Sequence, residues 1–476
     1  SQTLQAARGR VADTLAGKPG AASGPLHLAL ALQFLQGISH HIPYDFALSA
    51  PVRQARNAIH DRLARLVIVN CELHDRLPTI GTLPADVQTL LEDVRAWLAA
   101  EGDSRGGEAL SHRSAQLIAR YAAQAQTFED ALRVSFIRCL SEAIALLQQC
   151  ERLSGAIHHA KPAFGEVPAR AAKGYVFHRD PLTAARTALG AFAIILSGCL
   201  VLFFSAWPDG GTAVSILGVC CTLFGSFDTP APHIVKYIVG SFWGVLISLL
   251  YSFALLPQVS DFPVLVAVLA PAYLLAGSLQ ARPPTTFMAM GITLTLPILC
   301  ELGARYSGDF AVAANTAIAL FAATGFAVVS MSLLQTVQAD AAIARLLSLC
   351  QRDICRSVKG TLQVDETHWI NLMMDRTALL LPRLQRSEHA PEQALDRLLH
   401  ALRLGLSVMH LRHDETPPGR EVAGLFHQIA TADRSPLRER ITDIIERHLP
   451  AADEHTRQFV FRLVDLHCAL REPDHG

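Results

Sequence analysis

Residues 183–207 read TAARTALGAFAIILSGCLVLFFSAW, and residues 212–227 read TAVSILGVCCTLFGSF. Four more runs of the same kind follow: His233–Leu256, Phe262–Gln280, Pro284–Leu299 and Asp309–Leu334. Between their end caps these runs carry almost no charge; Arg186 and Lys236 sit in first turns, and the bodies hold nothing ionised. A bilayer core demands roughly 20 apolar residues per helix. Four runs reach that length, while 212–227 and 284–299 fall short. Buried helices of a large soluble protein are the alternative, but six consecutive uncharged apolar runs are rare outside membranes. The stretch 176–335 is therefore read as a six-span transmembrane domain.

Outward from this block the composition changes. The 476-residue chain is 51% hydrophobic and only 17% charged, with the apolar excess concentrated in the centre. A net charge of -1 gives no bulk electrostatic case for nucleic acid. Residues 1–175 alternate helical stretches with breakers. Val52–Leu77 repeats apolar residues at helical spacing, Pro84 is read as the first residue of another helix, and Glu108–Ile157 as one long helix. Pro25–Ile38 is apolar but too short to span, and Gly165–Gly174 is read as a linker. Asp180-Pro181 is an N-cap followed by a first-turn proline. After Leu334 no Pro or Gly intervenes before Lys359, so the last span is expected to continue as a rigid stalk. Residues 336–476 hold short amphipathic helices near 366–385, 391–411, 420–430, 436–448 and 453–470. The fold class is all-α: a polytopic membrane protein with a six-helix bundle between two cytosolic helical domains.

Sidedness is read from charge. One set of ends carries Arg170, Lys173, Arg179, Arg186, Lys236, Arg282 and Arg345; the other carries Asp209, Asp261, Glu301 and Asp309 with Arg305. The positive-inside rule places both flanks, and both ends of this chain, in the cytoplasm. The ten cysteines show no CxxC pair and read as reduced or buried.

No Walker A, HExxH, GxSxG or zinc spacing is present, so no cofactor, metal or catalytic constellation is assigned. The pairs His40-His41 and His158-His159, and His410 with His413, lack ligand partners at set distances. The loops carry more information: Ala206-Trp207-Pro208-Asp209, Phe227-Asp228-Thr229-Pro230 and Gln280-Ala281-Arg282-Pro283. Turn chemistry accounts for most of these residues, and Trp207 for an interfacial anchor. It accounts less well for Arg282 and Asp228, which share the basic side with Lys236. The two short spans are the second members of two three-helix groups that run in opposite directions, an arrangement that points to a transport site. Pro271 and Pro297 are read as interruptions of the second group. Gly240, Gly244 and Ser248 are read as a close-packing face.

The runs HRDPLTAARTALGAF (178–192), AWPDGGTAVSI (206–216), FGSFDTPAP (224–232), ALLPQVSDFP (254–263) and LQARPPTTFMAMG (279–291) resemble the second half of the fusaric acid resistance family of bacterial inner-membrane exporters. That resemblance implies two membrane halves, each followed by a soluble helical region. The chain is then expected to be a fragment that begins after the first half. It also implies export of aromatic carboxylic acids and a periplasmic adaptor (membrane fusion) protein as partner; a homo-oligomer is kept open.

Two functions are carried forward. One is a secondary transporter exporting aromatic or related organic acids of the fusaric-acid or hydroxybenzoate kind from the cytoplasm, across the bacterial inner membrane. Its candidate substrate-binding residues are Arg282, Lys236, Asp228, Arg186, Trp207 and Phe227, with Phe224, Tyr237, Trp243 and Phe287 as further stacking rings. The other is a non-transporting membrane scaffold whose cytosolic helices recruit partners. A membrane enzyme has no catalytic residues behind it.

Overall fold

The computed structural model describes residues 2–17, 50–100, 104–158, 176, 178–300, 308–362, 364–384, 391–412, 421–429, 435–450 and 453–471, and the statements below concern those residues. In chain order the helices are α1 (Gln2–Leu15), α2 (Ala50–Arg76), α3 (Ala85–Ala99), α4 (Ser104–Gln124), α5 (Phe128–His158), α6 (Pro181–Ser205), α7 (Gly210–Phe224), α8 (Ala231–Leu250), α9 (Phe262–Gln280), α10 (Thr286–Leu299), α11 (Phe310–Leu334), α12 (Ala339–Lys359), α13 (Glu366–Leu384), α14 (Pro391–Leu411), α15 (Phe426–Ile429), α16 (Ser435–His448) and α17 (Glu454–Ala469). The readings at 25–38, 165–174, His40-His41, His159, Arg170, Lys173, Glu301, Arg305 and His413 fall outside the described residues.

The helices form two compact units, Arg179–Gln338 and a second made of Ser1–His178 with Ala339–Gly476. In the first, α6, α8 with its extension to Gln258, α9 and α11 are long and apolar enough to cross a bilayer. The helices α7 and α10 have 15 and 14 residues. At 1.5 Å per residue they reach about 22 Å, short of a hydrocarbon core of about 30 Å. Large apolar side chains on α6 and α9, among them Phe192, Phe203, Phe262 and Leu274, are exposed on the unit's outside. Such a surface is at home in lipid rather than in water.

Local chemistry explains the helix ends. The Asp180 carboxylate accepts the N–H groups of Leu182 (3.1 Å) and Thr183 (3.3 Å), and Pro181 opens α6, as its sequence indicates. Beyond Leu250 the chain makes a π turn over Tyr251–Leu255 and a 3-10 turn over Leu256–Gln258. Pro257 falls in that last turn, where a missing N–H ends the regular ladder. Pro271 and Pro297 lie inside continuous helices rather than interrupting them. Neighbouring helices and local adjustment compensate for the lost bond of a membrane proline.

Within this unit α7 packs on α6 and on α11, α10 packs on α9 and on α8, and α8 packs on α11. Each short helix thus lies against the first helix of its own group and the third helix of the other. The two groups, α6–α8 and α9–α11, repeat one packing scheme. At the α8–α10 crossing the backbones meet at Gly240, Gly244 and Gly291. Ser248 spends its hydroxyl on the Gly244 carbonyl (2.7 Å), so this face packs helices, as its small residues indicate.

Two helices expected to be continuous are broken. The stretch 108–157 divides into α4 and α5 because Thr127 and Asp130 cap α5 reciprocally. The Thr127 hydroxyl accepts the Asp130 N–H, and the Asp130 carboxylate accepts the Thr127 N–H, both at 3.2 Å. The last span does not run on as a stalk. It ends at Leu334, and the Val337 N–H is held by the Asp228 carbonyl at 2.9 Å. Pro84 stands as the cap before α3 rather than as its first residue.

The two flanks, read from the sequence as separate domains, contribute to one hydrophobic core. Leu66, Phe136 and Leu140 from the N-terminal side share it with Trp369, Leu404 and Phe459 from the C-terminal side. Polar ties cross between them, with α2 at their centre. Arg76, almost fully buried, reaches Asp465 of α17 at 2.7 Å, Glu72 at 3.4 Å and the Cys139 sulfur at 3.0 Å. Arg65 bridges Glu142 of α5 (2.6 Å) and Glu366 of α13 (3.2 Å), and Asp75 pairs with Arg403 of α14. Burial pushes the Glu72 carboxyl up, but Arg76 and Arg65 outweigh it and hold the group below the usual carboxylate range.

Candidate functional site

The loops between membrane helices at one end of the first unit converge on an aromatic cluster. Phe224 closes α7, Phe227 and His233 flank the turn into α8, and Phe287 begins α10. The Phe287 ring centroid lies 4.6 Å from His233, 5.5 Å from Phe227 and 5.7 Å from Phe224, and Tyr237 adds an edge contact to Phe224 at 5.8 Å. Two turns meet here because Pro230 and Pro232 start α8 abruptly, and Pro283 and Pro284 do the same before α10.

Polar groups surround the cluster. Asp228 follows Phe227 directly, and its carbonyl holds Val337 after the last span. Arg186, exposed on the second turn of α6, donates to the Thr336 carbonyl at 3.3 Å. Gln335 is buried and reaches the Thr187 carbonyl at 3.4 Å. Arg282 is exposed in the turn before Phe287. Its backbone is tied down by hydroxyls: Thr286 donates to the Arg282 carbonyl at 2.8 Å, and Thr285 donates to Leu279 at 2.6 Å. The prolines beside Arg282 are thus assisted by Thr285 and Thr286.

Of the residues singled out from the sequence, Phe227, Asp228 and Arg186 lie at this end together, with Arg282 on the adjoining turn. Phe224, Tyr237 and Phe287 join them. Lys236 is exposed on the outward face of α8, in line with Val235, Val239 and Trp243. A lysine there can run its stem along apolar surface and put its ammonium at the interface. Trp243 makes its edge contact with Phe242 on that outward face, away from the cluster. Trp207 lies at the opposite end of the spans, where its Nε1–H donates to Asn315 Oδ1 at 3.3 Å. His233 went unnoticed in the sequence; its signal is a titratable ring at the head of an otherwise apolar helix.

The arrangement offers flat apolar rings for stacking, a guanidinium on a stiff turn, and a carboxylate one residue from the cluster. Among the described residues no group of three or more His, Cys, Asp or Glu side chains forms a metal cluster.

Comparison with known proteins places the chain. A stretch of 143 residues, 30% of the chain, is 27% identical to an uncharacterized transporter of Gluconobacter oxydans (strain 621H). The match spans 19% of that protein's length. No solved structure matches the chain. The model of the fusaric acid resistance protein family matches residues 1–474. With its multi-pass helices and a match over nearly its whole length, the chain belongs to the fusaric acid resistance protein family.

Proposed function

We propose that this chain works in a membrane transporter that exports aromatic or related organic acids, of the fusaric-acid or hydroxybenzoate kind, from the cytoplasm. The observation that carries this reading is the aromatic cluster of Phe224, Phe227, His233 and Phe287, with the stiffly held Arg282 turn leading into it. A carboxylate leaving water for a low-dielectric vestibule is destabilised unless a cation compensates it. Arginine matches a carboxylate with a planar fork and also stacks on rings. The family's description and the transporter name of the relative support the same reading. Loop charge supports an inner-membrane orientation with both flanks in the cytoplasm. If protons drive export, Asp228 is this chain's interfacial carboxylate for the task, since the span bodies hold none. A periplasmic adaptor protein and a second copy of the chain are proposed partners.

The test is substrate efflux from intact bacteria. Cells carrying the complete protein, preloaded with 4-hydroxybenzoate, should lose it faster than cells lacking it. Equal retention at equal membrane abundance would overturn export. It would favour a scaffold, a reading that draws on the shared core of the two flanks.

A further inference from the structure

Helices α6, α7 and α11 leave between them a cavity of about 230 Å³. Val201, Leu202, Leu217, Ala322 and Phe326 line it, with Gly198 on α6 and Trp207 at the loop. None of its lining residues is ionisable. The indole's one polar atom is already committed to Asn315, so Trp207 adds apolar surface alone. Ala206, with φ 50°, takes the left-handed conformation that turns the chain from α6 into Trp207.

The internal repeat sets this space apart from its counterpart in the second group. Helix α6 runs out through Ala206-Trp207-Pro208 and α9 through Ala281-Arg282-Pro283. Each is followed by a short helix that crosses to the other group. Counted back equally from Ala206 and Ala281, Gly198 of α6 matches Tyr273 of α9. Tyr273 packs its ring on the cluster of Tyr251, Leu256, Leu296 and Cys300. The first group has a glycine there, packed so closely on α7 that a Cβ would lie 2.8 Å from Leu217; α6 therefore contributes no ring at that level, and the adjoining cavity stays open.

We infer that the cavity between α6, α7 and α11 is a binding site for a single uncharged aromatic ring. An apolar cavity of about 150 Å³ accepts benzene, so one substituted ring suits this volume. A carboxylate buried there would meet no cation and pay its full desolvation cost. The site takes the neutral ring, and a charged substituent must point out through the open side. The inference deepens the proposed export function, resting on it only for the identity of the natural ligand.

The purified chain in nanodiscs of phosphatidylethanolamine and phosphatidylglycerol is titrated with 4-fluorophenol and followed by fluorine NMR. The expected result is saturable binding that weakens at least about tenfold, about 1.4 kcal/mol, in Ala322→Phe, which fills the cavity from an exposed wall position. Val201→Phe, on a different helix, should do the same and serves if Ala322→Phe lowers the melting temperature. The 4-fluorobenzoate anion at about pH 8 should bind at least about tenfold more weakly than the phenol. Unchanged binding in both folded variants would overturn the assignment. So would displacement by 1-decanol as effective as by phenol, which would give the space to an acyl chain. Saturable phenol binding in a protein that fails to export would sink the export reading and leave the site standing.

Discussion

Gly291 of α10 and Gly240 of α8 bring two helix backbones into direct contact: a Cβ on Gly291 would lie 2.8 Å from the Gly240 carbonyl carbon and 2.4 Å from the Tyr237 carbonyl oxygen. Backbone, unlike a side-chain tip, cannot swing aside. Gly291→Ala should therefore cost about 1–3 kcal/mol as overpacking, read as a lower melting temperature of the purified protein. Gly218→Ala, where a Cβ meets nothing within 4 Å, is the matched control and should change little. Equal melting of the two variants would contradict the contact.

Arg282→Lys keeps the topology charge and loses the fork. In the complete protein it should insert at normal abundance and export poorly. The expected loss is about 1.5–3 kcal/mol, roughly 10- to 150-fold in rate. Wild-type efflux of 4-hydroxybenzoate from that variant would reduce Arg282 to a topology signal.

Orientation is open to cysteine labelling. With the exposed Cys199 replaced by serine, a cysteine at Asp209 should react with an impermeant maleimide added to intact cells. One at Ser226, exposed in the turn after α7, should react after lysis alone. The reverse pattern would invert the charge-based topology.

Arg76→Met would leave Glu72 and Asp465 facing each other's surroundings without their buried cation. Breaking such a pair from one side costs about 3–5 kcal/mol. The loss should appear in thermal unfolding followed by the fluorescence of Trp97 and Trp369, both in the same core. Arg76→Met unfolding at the wild-type temperature would show that the Arg76 tie does not help to join the flanks.

His467 packs edge-on against Phe128 at 4.6 Å. Burial, with Arg438 adding repulsion, pushes its pKa down from 6.5 to about 4. The unfolded chain then binds a proton that the folded chain refuses. Stability is complete above the ordinary histidine range and declines as pH falls from 6.5 toward about 4. The effect is on the order of 2 kcal/mol, allowing for partial exposure. His467→Phe should flatten this part of the melting-temperature profile between pH 7 and about 4.5; an unchanged slope would assign it to other groups.

The membrane helices were legible because a bilayer enforces long uncharged runs, and the shortness of α7 and α10 could be counted directly. The Thr127-x-x-Asp130 cap is also written in the sequence, but the apolar periodicity runs across it and masks the break. The end of α11 was harder. Neither Gly nor Pro marks Gln335–Gln338; what stops the helix is the distant Asp228 carbonyl, a tertiary partner that no local pattern reveals. The same holds for the candidate site. Phe227, Asp228 and Arg186 could be chosen from loop chemistry, whereas the outward turn of Lys236 and the placement of His233 depend on which face of α8 is buried. The union of the flanks rests on pairs such as Arg76 with Asp465, remote in sequence.

That union sets the order in which the protein can be finished. During synthesis α2 and α5 emerge before the membrane unit, and their partners on α13, α14 and α17 after it. The whole membrane unit is made in between. Contacts of such long sequence separation are slow to form, and a half-made core exposes apolar surface until they do. A ribosome stalled between α5 and α17 thus holds an Arg76 that lacks Asp465, and an open hydrophobic face. Chaperone capture or proteolysis of unfinished chains should accordingly concentrate on the N-terminal flank, however well the spans have already inserted.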